Sequence, residues 1–150
     1  MRPLQIIKDY GSLVMKAAGE HKLPASLIFA LIQQESGGDP NAESSCGARG
    51  LTQVMEGALT DYNRAHKTEL LMSHLFMPQV SIEVGAWYLA KMIETFYGDV
   101  TSGVRAYNQG AGRIRKDHMM GKWYSDGVLD KQEKYVRLLA EDKPPNEPSS

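Results

Sequence analysis

One stretch, Pro24 to Met55, limits what this chain can fold into more than any other. Ile28, Leu31 and Ile32 recur at the spacing of one face of a helix of period 3.6. Pro24 suits the first turn, where a missing N–H costs nothing, and Gly37-Gly38 supplies the stop. Continuing the apolar face by three or four residues reaches Glu35. A carboxylate therefore stands where the pattern asks for a core residue, in the last turn before the break. Desolvation disfavours the charged form, so a carboxyl among aliphatic neighbours keeps its proton to higher pH and can act as a general acid.

The remaining chain repeats the helical theme. Residues 4–20 carry Ile6, Ile7, Tyr10, Val14, Ala17 and Ala18 on one face, and the helix is expected to end near Gly19. A loop rich in Gly, Asp, Asn and Ser runs from Gly37 to Gly50. Leu51, Val54 and Met55 are read as the start of a helix towards Tyr62, and a short helix is expected between His66 and Phe76, interrupted by Pro78. From Ser81, the positions Ile82, Gly85, Ala86, Leu89, Met92, Ile93 and Phe96 repeat at three and four until Gly98. Gly85 costs helix propensity, about 1 kcal/mol against alanine, and suggests close approach of another backbone. Further helices are expected from Thr101 to about Tyr107 and over residues 130–141, the latter holding Tyr135, Val136, Leu138 and Leu139. No sustained period-two run occurs, so the expected class is all-α. The expectation is a single domain over residues 1–141, followed by a disordered tail at 142–150, K-P-P-N-E-P-S-S in its last eight positions.

Composition matters here mainly for what it excludes. A formal net charge of −1 over 150 residues gives no basic excess for nucleic acid. With Cys46 alone, no intramolecular disulfide can form. His21, His66, His74 and His118 are scattered without H-E-x-x-H or Cys/His pairing, so neither a metal nor another cofactor is expected. No apolar run approaches the ~20 residues of a membrane span. At the start, Leu4, Ile6 and Ile7 give way to Lys8 and Asp9, so no apolar signal-peptide core forms.

Five fragments occur in order: A-L-I-Q-Q-E-S-G-G-D-P-N-A, G-A-R-G-L-T-Q-V-M, S-I-E-V-G-A-W-Y-L-A, R-A-Y-N-Q-G-A-G-R-I and K-Q-E-K-Y-V. In this order and spacing they resemble the catalytic domain of soluble lytic transglycosylases, related in fold to goose-type lysozyme, over roughly residues 20–140. The resemblance implies a lysozyme-like helical fold with a groove for peptidoglycan glycan strands. It also implies cleavage of the β-1,4 bond between N-acetylmuramic acid and N-acetylglucosamine. Matched residue by residue, it puts the acid/base at Glu35 and a supporting serine at Ser44. The Gly-Leu-x-Gln motif falls on Gly50, Leu51 and Gln53, and a groove-lining methionine on Met55. Tyr107 and Asn108 match the Ala-Tyr-Asn motif, and Tyr135 the late aromatic. Thr52 stands where the family usually has methionine, and Glu56 where proline commonly follows.

The implied chemistry needs one carboxyl rather than the usual glycosidase pair. The substrate's own 2-acetamido oxygen attacks the anomeric carbon while Glu35 protonates the leaving oxygen. Glu35 then takes the proton of the C6 hydroxyl, which closes to a 1,6-anhydro ring. Tyr135 is the expected hydrogen-bond partner that orients the buried acid. Gln53 and Asn108 offer amides for sugar hydroxyls and N-acetyl groups. Among the aromatics Trp87, Tyr88 and Trp123, Tyr88 is kept as a sugar-stacking candidate. Arg113, Arg115 and Lys116 read as a solvated face that could attract acidic stem peptides.

Two alternatives stay open at this point. A hydrolysing muramidase would need a second carboxylate, and Asp39, Glu43 and Asp61 are nearest in sequence. A glycan-binding component without activity is the other. The expected setting is a monomer that neither binds nucleic acid nor inserts into a membrane. It would act on the bacterial wall after release through a phage holin, carriage in a virion or export by a secretion apparatus, with a phage endolysin preferred.

Overall fold

The computed structural model describes residues 1–141; the tail expected to be disordered lies outside the described residues. Helix α1 (Pro3–His21) begins at a proline in its first turn and closes on Lys22 in the left-handed region. Helix α2 (Ala25–Ser36) follows, with Pro24 as its N-cap and Gly37 (φ 63°) as its C-cap. After a long loop come α3 (Glu56–His66) and a 3-10 helix (Met72–Phe76). Helices α4 (Pro78–Thr95), α5 (Val100–Gln109), α6 (Ala111–Lys116) and α7 (Lys122–Glu141) complete the order. Among the described residues the only β-pairing is two isolated bridges, Glu43–Arg49 and Arg49–Val54, so the all-α expectation holds.

Helix α2 is the centre. Its residues from Ser26 to Ile32 are buried on every side, not along one face as the periodicity suggests. Leu27, Ile28, Phe29, Leu31 and Ile32 each have 0 % exposure, and burial of such side chains contributes about 1.5–3 kcal/mol apiece. Helices α1 and α7 cover it, and Tyr135 of α7 stacks on Phe29 at 5.3 Å between centroids. A second, smaller core joins Val54, Ala58, Leu59, Tyr62, Leu75 and Val84, drawn from the loop end, α3, the 3-10 helix and the first half of α4. Helix α4 thus contributes to both cores, since Ile82, Ala86 and Leu89 face the first.

Several boundaries differ from the periodicity, each for a physical reason. Residues 51–54 are outside any helix, and α3 starts only at Glu56. The Leu51 carbonyl accepts from Ser36 and the Thr52 carbonyl from Tyr107, contacts that hold this stretch against other elements, and Gln53 has φ 53°, outside the right-handed helical region. Pro78 opens α4 instead of merely ending the helix before it, as its fixed φ and absent N–H allow at a first helical position. Helix α7 begins eight residues before the expected 130. The run Arg113 to Lys116 forms most of α6, with Ile114 buried and the three basic side chains exposed.

Candidate active site

Glu35 sits in the last turn of α2, where the buried helix emerges from the core. The next residue fixes this end in place. Ser36 Oγ donates to the Leu51 carbonyl (2.8 Å) and accepts the Gly38 N–H (3.1 Å), tying the helix terminus to the loop beyond. Burial pushes the Glu35 carboxyl up from its ordinary 4.5 to about 7, partly offset by the neighbouring Tyr124 hydroxyl. At that value the carboxyl can give and take a proton near neutral pH.

Two tyrosines stand against this carboxyl from other helices. Tyr124 of α7 is 1 % exposed; its hydroxyl faces Glu35, near enough to stabilise the carboxylate but short of a formed hydrogen bond. Tyr107 of α5 is close enough for a charged Glu35 to hinder its ionisation, and its pKa is raised first by burial. Its hydroxyl donates to the Thr52 carbonyl at 2.7 Å. Tyr88 of α4 packs against the Tyr107 ring, centroids 5.5 Å apart, and extends the aromatic wall.

Thr52 is the keystone of the loop that carries the Tyr107 acceptor. It is fully buried; its N–H donates to Ser81 Oγ (3.1 Å) and its hydroxyl to the Ser81 carbonyl (2.7 Å). Gly85, one turn further along α4, makes room for it: a Cβ there would lie 2.4 Å from Thr52 Oγ1. The close approach suggested by Gly85 is therefore real, but the neighbour is a side chain rather than a backbone.

The expected site residues divide. Tyr107 lies near enough to Glu35 to feel its charge, and Tyr88 joins through Tyr107. Tyr135 is not the partner of the acid: its hydroxyl donates to Gln33 Oε1 at 2.9 Å, and Tyr124 occupies the place beside Glu35. Gln53 spends its amide N–H groups on the Ala42 (3.0 Å) and Gly50 (2.9 Å) carbonyls, holding the loop closed. Ser44 is exposed and accepts the Ala48 N–H (3.0 Å) in the turn that carries exposed Cys46. Met55 is 48 % exposed at the start of α3, and exposed Asn108 lies on α5 beside Gln109. Periodicity alone misses Tyr124 because it starts α7 too late. The spacing Tyr124, Val128, Tyr135 along one buried face is the signal that could have found it.

No second carboxylate contributes to the Glu35 shift. Asp39 accepts the Asn41 N–H (2.9 Å), Glu43 pairs with Arg49 (3.3 Å), and Asp61 lies between Arg64 (3.9 Å) and Lys91 (3.8 Å). Side chains of metal-ligand type gather at Glu20, His21 and Glu83, with atoms within 4.8 Å of one another. There His21 Nε2 is bonded to Glu83 Oε1 and Tyr62 donates to Glu83 Oε2, both at 2.8 Å, linking α1, α3 and α4.

Comparison with known proteins identifies the family of the chain. The family model for the Transglycosylase SLT domain matches residues 12–126. The chain is 31% identical over 108 residues to the soluble lytic murein transglycosylase of Escherichia coli K12, covering 71% of this chain and 17% of that protein. It is 34% identical over 115 residues to the membrane-bound lytic murein transglycosylase C of Cronobacter sakazakii, 70% of this chain and 32% of the relative. It therefore spans a third or less of these relatives' length. Among solved structures, an inactive glutamate-to-glutamine mutant of the lytic transglycosylase Slt from Pseudomonas aeruginosa superposes with TM-score 0.81 and 28% identity, over 91% of this chain and 25% of that one. A 70-kDa soluble lytic transglycosylase in complex with bulgecin A gives TM-score 0.80 and 25% identity, over 96% of this chain and 26% of that one. Helical order and these matches agree: the chain belongs to the Transglycosylase SLT domain family.

Proposed function

We propose that the chain is a peptidoglycan lytic transglycosylase, cleaving the bond between N-acetylmuramic acid and N-acetylglucosamine with formation of 1,6-anhydro ends. The observation that carries this reading is a half-buried carboxyl, Glu35, raised to about 7 by burial, with phenols rather than a second carboxylate around it. Membership of the family and its kinship to lytic murein transglycosylases support it.

In the reaction, protonated Glu35 delivers its proton to the glycosidic oxygen as the C1–O4 bond breaks. The 2-acetamido oxygen of the same sugar forms the new bond to C1 from the other face. Glu35, now a carboxylate, removes the C6 hydroxyl proton, and O6 displaces the acetamido oxygen from C1. The acid is regenerated and no water is consumed. Tyr124, facing the carboxyl, eases its ionised stage. Tyr107 and Tyr88 form the wall beside it, while Met55 and Asn108 are exposed to contact the strand. Gln53 and Ser44 act by holding the loop in shape, and Tyr135 by packing α7 on α2. Action on the bacterial wall follows from that substrate.

Mass spectrometry of soluble products from purified peptidoglycan tests the proposal. Muropeptides lighter by one water, about 18 Da, than their hydrated counterparts are expected, and Glu35→Gln should release none. Hydrated ends would replace the reading by a hydrolysing muramidase. Equal release by the variant would remove Glu35 from the chemistry.

A further inference from the structure

Just before the phenol that faces Glu35, the chain exposes three large apolar side chains close together in sequence. Trp123 is 66 % exposed, Met119 58 % and Met120 37 %. An exposed indole is informative because tryptophan usually hides most of its surface. The segment is firmly held. Arg105 of α5 donates through Nη1 to the His118 carbonyl (2.6 Å) and through Nε to Ser125 Oγ (2.9 Å). Asp117 accepts the Met119 N–H (3.0 Å), and the Met120 N–H bonds the Asp117 carbonyl (3.1 Å). The Trp123 indole meets the Tyr124 ring edge-on, centroids 5.7 Å apart and planes at 85°. One aromatic contact therefore joins this exposed surface to the group beside Glu35.

We propose that Trp123, flanked by Met119 and Met120, is a stacking platform for a pyranose ring of the glycan strand, outside the two sugars whose bond is cleaved. The inference rests on the glycan-strand reading of the site. A pyranose presents an apolar C–H face that covers an indole and leaves its hydroxyls in water, which suits a small apolar patch rimmed by charged Lys122 and Asp126. Three side chains are few against the ~800 Å² per partner of a stable protein interface. The platform lengthens the strand-binding site, so long strands are held better than short ones.

The fluorescence of Trp123 provides the test. The second tryptophan, Trp87, packs against Tyr62 and His66, so Trp87→Phe leaves Trp123 as the sole indole reporter. Oligomers of N-acetylglucosamine are titrated into E35Q/W87F. A saturable change in emission is expected. Calorimetry on E35Q/W123A should show binding weakened about tenfold, with an unchanged melting temperature because the indole is exposed. Calorimetric binding with silent Trp123 emission, unchanged affinity in W123A, or no binding by the parent protein would each overturn the platform. The two proposals fail separately. Anhydro products with a silent indole keep the activity and remove the platform; oligomers bound through Trp123 without any products keep the platform and remove the activity.

Discussion

The Tyr124 hydroxyl, which faces the Glu35 carboxyl, is the one buried side-chain polar atom among the described residues without a hydrogen-bond partner. A buried hydroxyl left so costs about 1–3 kcal/mol, a cost that the proposed acid and base role of Glu35 would account for. Tyr124→Phe keeps the ring and removes that cost. We expect stability equal to or above that of the parent. The phenol lowers the Glu35 pKa, so its removal should move the Glu35 titration above about 7 and reduce turnover. NMR titration of carboxyl-labelled glutamate measures the first, and product release the second. An unmoved titration would make Tyr124 a bystander.

The same carboxyl makes stability depend on pH in a direction opposite to most acids. Unfolded, Glu35 titrates near 4.5; folded, near 7. Between those values the folded chain binds the proton more tightly, so stability falls as pH rises and the deficit is complete above about 7. Its size is on the order of 3 kcal/mol. Glu35→Gln removes the ionisable group. It should melt with the parent near pH 4.5 and, at about 2–4 °C per kcal/mol for a chain of this size, about 6–12 °C above it at pH 8. Parallel melting curves across that range would show that the carboxyl is not held in a dry place.

Why Glu35 is legible and Tyr124 is not follows from where their signals lie. Glu35 interrupts an apolar series within one helix, so local spacing exposes it. Tyr124 opens a helix whose first turns are mostly polar or small, with Lys122, Ser125, Asp126 and Gly127, and its contact with α2 is remote in sequence. Tyr135 attracts the expected role because it too is a buried tyrosine on α7, but one bonded to Gln33. Leu51 and Val54 have helical spacing and nonetheless lie outside any helix, because Ser36, Ser81 and Tyr107 claim the backbone around them. Periodicity reports which face is apolar; it is silent on long-range partners of the backbone.

Thr52 donates two buried hydrogen bonds to Ser81, their hydroxyls lie 2.9 Å apart, and the Thr52 carbonyl holds Tyr107. In Ser81→Ala the Thr52 N–H loses its acceptor inside a packed layer. The expected loss is about 1–3 kcal/mol, read from denaturant midpoints at unchanged m-value. Because the displaced peptide also anchors Tyr107, turnover should fall further than Thr52→Ser, which keeps both bonds, would cause. Equal effects of S81A and T52S on turnover would detach this network from the site.

Gly50 sets the tightest limit on the loop between α2 and α3. It has φ 84°, a region that side chains rarely adopt, and a Cβ there would fall 2.1 Å from the Leu75 carbonyl oxygen. Its own carbonyl receives both the backbone and the side-chain N–H of Gln53, at 3.1 and 2.9 Å. Gly50→Ala must therefore lift the loop off the 3-10 helix and break the turn that carries Thr52. A loss above about 3 kcal/mol is expected, with activity gone. Gly57 gives the control: it lies in α3, exposed, and a Cβ added there would meet nothing within 4 Å. There alanine restricts the unfolded chain without a clash and should stabilise by about 0.4–1 kcal/mol. Chemical denaturation of the two variants side by side decides the matter, since similar midpoints would mean that Gly50 is not confined as its geometry requires.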